Sequence, residues 1–180
     1  GNALLKWLGE CGPRASAYVN RAAAVSAPVD LPAAGGALDR GFNRLYTWHF
    51  LKRLKARMRQ KRATHPAHLG HLDLSGIWSL RAFDDRVTAP LHGFRDVDDY
   101  WQRSAAKPYL KHIAVPTLIV HARNDPFLPS AAMARPEEVS PAVTLDYPEE
   151  GGHAGFPSGP FPGRLDWLPQ RLLTFFEQPL

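Results

Sequence analysis

The 180-residue sequence has a single cysteine, Cys11. One thiol excludes an internal disulfide framework and suits a reducing compartment, so a cytoplasmic protein is the expectation. No apolar run approaches the roughly eighteen residues that a bilayer-crossing helix requires. An initiating methionine and a signal-peptide pattern are both missing, and Gly1-Asn2-Ala3-Leu4-Leu5 reads as the middle of a helix without its cap. Further sequence upstream of Gly1 is therefore expected. No G-x-S-x-G nucleophile turn occurs anywhere. Acids are missing from one stretch, where nine Lys or Arg fall between Arg40 and Arg62 with no Asp or Glu among them. Outside it acids outnumber bases, so the net charge of +5 reflects a local basic surface. No nucleic-acid partner is expected.

What is present suits one globular chain with a core, 44% of its residues being hydrophobic. Leu4, Leu5 and Leu8 give residues 1–10 a helical apolar face, which Gly12-Pro13 ends. The small-residue run Arg21–Ser26 reads as a buried strand stopped by Ala27-Pro28. From Val29 to about Lys107 only helical patterns follow one another. Strand patterns return near Ile113–Val120 and Val143–Tyr147, and Leu165, Leu168, Leu172 and Phe175 place a last amphipathic helix. Thr117-Leu118-Ile119-Val120 is continuous in the way of a parallel strand covered on both faces. Strand–helix alternation on both sides of a helical insert predicts an α/β fold. Its parallel-sheet core spans 1–27 and 109–180, with a helical cap or lid over 28–108.

Two residues offer chemistry. Asp125 follows the most apolar strand, in the turn His121-Ala122-Arg123-Asn124-Asp125-Pro126-Phe127. His153 follows the next strand, in the glycine-rich turn Gly151-Gly152-His153-Ala154-Gly155. A carboxylate can hold an imidazole in one tautomer, and the imidazole can then take and return a proton. Taken separately, Asn124-Asp125-Pro126 also reads as a turn tied to its own backbone, and His153 as a solvated loop histidine. Taken together, the acid-then-histidine order at successive strand ends is that of the last two members of an α/β-hydrolase triad.

Several segments carry a family resemblance. They are Gly1-Asn2-x-Leu4-Leu5-Lys6-Trp7-Leu8-Gly9-Glu10, Val25-Ser26-Ala27-Pro28-Val29-Asp30-Leu31, Phe83-Asp84-Asp85-x-x-Thr88-Ala89-Pro90-Leu91-His92-Gly93-Phe94 and Asp99-Tyr100-Trp101. They continue with Val115–Val120, Asn124-Asp125-Pro126-Phe127 and Gly151-Gly152-His153-x-Gly155-Phe156. In this order they resemble the YheT-like branch of the α/β-hydrolases, related to the embryogenesis-associated plant proteins and the mammalian α/β-hydrolase-domain lipases. The resemblance implies the C-terminal part of an α/β-hydrolase fold, with Gly1-Asn2 the tail of a G-x-S-x-G-G-N elbow. Its serine would sit three positions before Gly1. It further implies Asp125 as triad acid, His153 as base, no cofactor, no metal, and a small-molecule ester substrate of the acylglycerol or short-chain type, lipids included. The 180 residues alone are expected to be inactive. A non-catalytic scaffold on the same fold is the alternative, because fold does not dictate chemistry.

Other features of the sequence have plainer readings. Phe42, Leu45, Trp48, Leu51, Leu54 and Met58 recur at helical spacing within the basic stretch 42–62. This reads first as a cap helix packing its apolar stripe, and second as a peripheral membrane contact. His65, His68 and His71 fit no closed metal site. Asp84-Asp85 and Asp98-Asp99 are adjacent and point apart, so neither is a paired-carboxylate centre; Asp84, Asp85 and Thr88 read as structural. Ser26 lacks an elbow's glycines, and Trp7, Trp78 and Trp101 read as core.

Overall fold

The continuous apolar run forms the central strand of the sheet. In a computed structural model, which describes residues 1–179, β1 (Ala22–Val25), β2 (Thr117–Val120) and β3 (Val143–Asp146) make a three-stranded parallel sheet in the order β1-β2-β3. Ala22 pairs with Thr117 and Val25 with Val120, while Thr117 pairs with Val143 and Val120 with Asp146. The α/β class and the parallel sheet expected from the sequence are both present.

Alternation along β2 divides the core between two faces. Ile119 points to one side with Ala24 and Val143, against Leu5 and Leu8 of α1 (Asn2–Cys11). Leu118 and Val120 point to the other, against Phe156, Phe175 and the C-terminal helix Trp167–Phe176. All four residues of β2 are buried, which is why the run carries no polar alternation. Leu5, Leu8 and Leu118 are fully buried, and each such side chain contributes about 1.5–3 kcal/mol relative to exposure. Gly9 lets α1 lie against Tyr109; a Cβ there would overlap the Tyr109 carbonyl. Asn2 fixes the front of α1 by donating from Nδ2 to the Ser104 carbonyl (2.8 Å) and accepting at Oδ1 from the Ala106 N–H (2.9 Å).

Three local expectations are corrected. The central strand begins at Thr117 and not at Ile113, because Lys107–His112 is a 3₁₀ turn and Pro116 has no N–H for a ladder. The last helix begins at Trp167, leaving Leu165 outside it and exposed. Trp78 is 76% exposed, in irregular chain beyond the turn at Gly76 (φ 59°), with the Lys55 ammonium 5.2 Å from its ring; Trp101, as expected, is buried.

The chain divides into two compact units, one of Gly1–Ala34 with Ser104 onward and one of Gly35–Arg103. Among the described residues the second unit is helical. Its main helix, α2 (Asn43–Thr64), packs Leu51, Leu54 and Met58 on Leu72, Leu74, Ile77, Phe83 and Val87. The first turns of α2 do not follow that stripe: Phe42 is 96% exposed and Leu45 69%, with Trp48 exposed beside them. Asp84 and Asp85 diverge into structural roles. Asp84 accepts from the Thr88 hydroxyl (2.7 Å) and the Trp101 indole N–H (2.8 Å), and Asp85 accepts from the Val97 N–H (3.0 Å).

Candidate active site

The site lies at the carboxyl ends of β2 and β3. After β2 the chain turns back at once, the Asp125 N–H donating to the Ala122 carbonyl (3.1 Å), and Asp125 directs a wholly buried carboxylate inward. Its two oxygens divide the work. Oδ1 accepts the N–H groups of Phe127 (2.8 Å) and Leu128 (3.2 Å), which is the turn-forming role open to any Asx residue. Oδ2 lies 2.9 Å from Nδ1 of His153. Asp125 thus ties its own backbone with one oxygen and meets the imidazole with the other.

His153 comes from the turn after β3. Gly152 (φ 62°) and Phe156 (φ 45°) bend that turn, and the Phe156 N–H closes it on the Gly151 carbonyl (2.8 Å). Phe156 then drops into the core against Trp167, anchoring the turn from below. The imidazole is 41% exposed, with the Phe127 ring edge-on at 5.0 Å. Because Nδ1 faces a carboxylate it carries the proton, leaving Nε2 as the basic nitrogen. An oriented base with a partly open approach can relay a proton to and from a bound reactant.

Three further residues shape the site. Oδ1 of Asn124 accepts the N–H groups of Gly151 (3.0 Å) and Gly152 (2.9 Å), bridging the two turns. His121 is buried with Nε2 3.4 Å from Oδ2 of Asp125; burial lowers its affinity for a proton, with Asp125 acting against that and His153 adding to it. Tyr147 stands edge-on to His121 at 6.4 Å, its phenol pushed up to about 12 by burial. Sequence reasoning singled out none of these three for the site. Asn124 acts across the fold on residues 27 and 28 positions away, a reach that no local pattern encodes, and His121 matters only once burial sets it against Asp125.

Ser26 ends β1 with φ 46° and a buried hydroxyl that has no hydrogen-bond partner among the described residues, so it is not bonded to His153. His65, His68 and His71 are exposed, and the described residues contain no group of three or more His, Cys, Asp or Glu placed to hold a metal.

Similarity to known proteins agrees with this architecture. The chain is 38% identical over 165 residues to "Putative esterase YheT" of Escherichia coli (strain K12), a match spanning 88% of this chain and 48% of that protein. The chain belongs to the YheT-like family of α/β-hydrolases. This YheT-like chain is also 27% identical over 179 residues to "Phospholipase ABHD3" of Mus musculus, covering 98% of the chain and 43% of the relative. Against "Monoacylglycerol lipase ABHD2" of Homo sapiens it is 30% identical over 118 residues, or 61% of the chain and 28% of the relative. It spans about half the length of the YheT and ABHD3 relatives it matches. No protein-family model matches it. No solved structure matches it either.

Proposed function

We propose that these residues supply the acid and the base of a serine ester hydrolase, with the attacking serine carried by sequence outside residues 1–180. The observation that carries this reading is the 2.9 Å contact between Oδ2 of Asp125 and Nδ1 of His153, made from the ends of neighbouring strands. In the proposed reaction Nε2 of His153 takes the serine proton as the oxygen attacks an ester carbonyl. Asp125 holds the tautomer and offsets the imidazolium charge. The protonated ring then protonates the departing alcohol, and water releases the acid from the acyl-enzyme by the same relay. Relatives named as esterase, phospholipase and monoacylglycerol lipase support a carboxylic-ester substrate, with acylglycerol-like and short-chain esters the classes to try first. Residues 28–108, by this reading, are a helical cap insertion.

The test uses the full-length protein with a p-nitrophenyl ester series and a fluorophosphonate probe. Turnover and serine labelling in the wild type, both lost on His153→Ala, are expected. Residues 1–180 alone are expected to be inactive, and turnover by that pure chain would refute the assignment. A small residue in place of the serine would point instead to a binding scaffold.

Peripheral membrane contact through 42–62 belongs to the same proposal. Phe42, Leu45 and Trp48 are exposed on the opening of α2, and Lys52, Arg53, Arg57 and Arg59 follow on its exposed surface. Apolar side chains beside unbalanced cations suit an anionic lipid interface. Among the described residues no helix is long and apolar enough to cross a membrane. Flotation with phosphatidylcholine vesicles, with and without phosphatidylglycerol, tests this: co-flotation is expected with the anionic vesicles and should weaken with salt.

A further inference from the structure

Two histidines face Oδ2 of Asp125, and the proposed relay uses one of them. Nδ1 of His153 is 2.9 Å away and Nε2 of His121 is 3.4 Å away. The His121 side chain is 4% exposed and the carboxylate 0%. Nε2 of His121 has no hydrogen-bond partner among the described residues, while the ring is hydrogen-bonded to the Leu128 backbone. The Leu128 N–H is already given to Oδ1 of Asp125, and the ring bond favours the charged imidazole, so its acceptor is the Leu128 carbonyl.

A neutral imidazole has one N–H and one lone pair. Whichever nitrogen of His121 holds the proton, the other turns its lone pair on an oxygen acceptor, either the Leu128 carbonyl or the Asp125 carboxylate. Only the doubly protonated ring can serve both. Burial opposes that second proton, and with Nε2 unbonded the single proton sits on the nitrogen facing Leu128, so the uncharged ring leaves Oδ2 to His153. The charged groups acting on His121 are Asp125 and His153, and the Tyr147 phenol beside it stays neutral.

We propose that His121 is a positioning residue with two settings. With one proton it leaves Oδ2 to His153. With two it draws Oδ2 to itself and deprives His153 of the partner that fixes its tautomer. This rests on the Asp125–His153 reading, and it makes acid inactivation a two-proton event, one proton on His153 and one on His121.

The experiment is the pH profile of kcat/KM for ester hydrolysis by the full-length protein, within the range where its circular dichroism is constant. For the wild type, log(kcat/KM) should fall with a slope that steepens from one toward two as pH drops. His121→Gln offers an amide N–H and cannot ionise. Its acid limb should keep a slope of one, with a plateau within about tenfold of the wild type. A slope of one in the wild type, or a slope of two kept by His121→Gln, would overturn the proposal. Should the variant not fold, nitrogen NMR titration of the wild type decides: protonation of His121 should shift the His153 signals in step, and an unmoved His153 would refute the coupling. Asp125→Asn and His153→Ala run alongside; if they retain activity the triad reading itself has failed, whereas their inactivity with an unchanged His121→Gln profile removes only the role of His121.

Discussion

The side-chain oxygen of Asn124 accepts both Gly151 N–H (3.0 Å) and Gly152 N–H (2.9 Å), so the neighbour of the acid holds the turn that carries the base. Asn124→Ala leaves these two donors unmatched and lets His153 drift. A displacement of about 1 Å at a catalytic group costs on the order of a hundredfold in rate. Steady-state kinetics of the full-length protein should show kcat/KM falling by about ten- to a hundredfold, mostly in kcat. Asn124→Asp keeps an acceptor in place and should recover most of the loss.

Asp125 is predicted to separate catalysis from folding by substitution type. Asp125→Asn can still accept from Phe127 and Leu128 but presents no anion to His153, and kcat should drop about ten-thousand-fold. Asp125→Ala should show the same drop and, in addition, lose about 1–3 kcal/mol of stability as two backbone donors lose this acceptor. Ester turnover and urea unfolding, measured on the same preparations, check the split.

Asp84 gives a pH signature in the helical unit. Burial pushes its carboxyl above the ordinary carboxylate value, opposed by the hydrogen bonds from Thr88 and Trp101. A carboxyl raised in the folded state binds its proton more tightly there than when unfolded. Its contribution to stability is therefore fully present below the ordinary value of 3.8 and is lost as pH rises through the window above it. Asp84→Asn should flatten that window in urea midpoints taken from pH 3 to 7, while Asp84→Ala should cost about 1–3 kcal/mol throughout.

Gly151 tests the packing under the base. A Cβ there would lie 2.5 Å from Cδ1 of Phe156 and 2.8 Å from the Ala122 Cβ, both in the core. Gly151→Ala should destabilise by about 1–3 kcal/mol, read as a lowered thermal midpoint, and should displace His153 with it.

Much of this arrangement was legible because its signals are local. The unbroken run Thr117–Val120 announces a strand covered on both faces, and Asp125 and His153 each follow a strand directly. Other features escaped because they depend on long-range geometry. Pro116 and the 3₁₀ turn before it shortened the central strand, although Ile113 and Val115 remain buried as the pattern requires. The apolar spacing from Phe42 to Met58 predicts one continuous packed stripe, yet only its second half meets a core; periodicity reports a face, not what lies opposite it. Trp78 reads as core by residue type but stands in irregular chain, exposed beside the Lys55 cation.

Val120 stands beside Asp146 in the β2–β3 ladder, and that pairing sets the stagger between the two strand ends. Sliding β3 by one residue would carry the His153 turn about 3.3 Å along the sheet and exchange its inward and outward side chains. The acid–imidazole bond is shorter than that step. The proton relay is therefore written into backbone alignment: a misthreaded sheet would keep every side chain of the pair and lose their conversation.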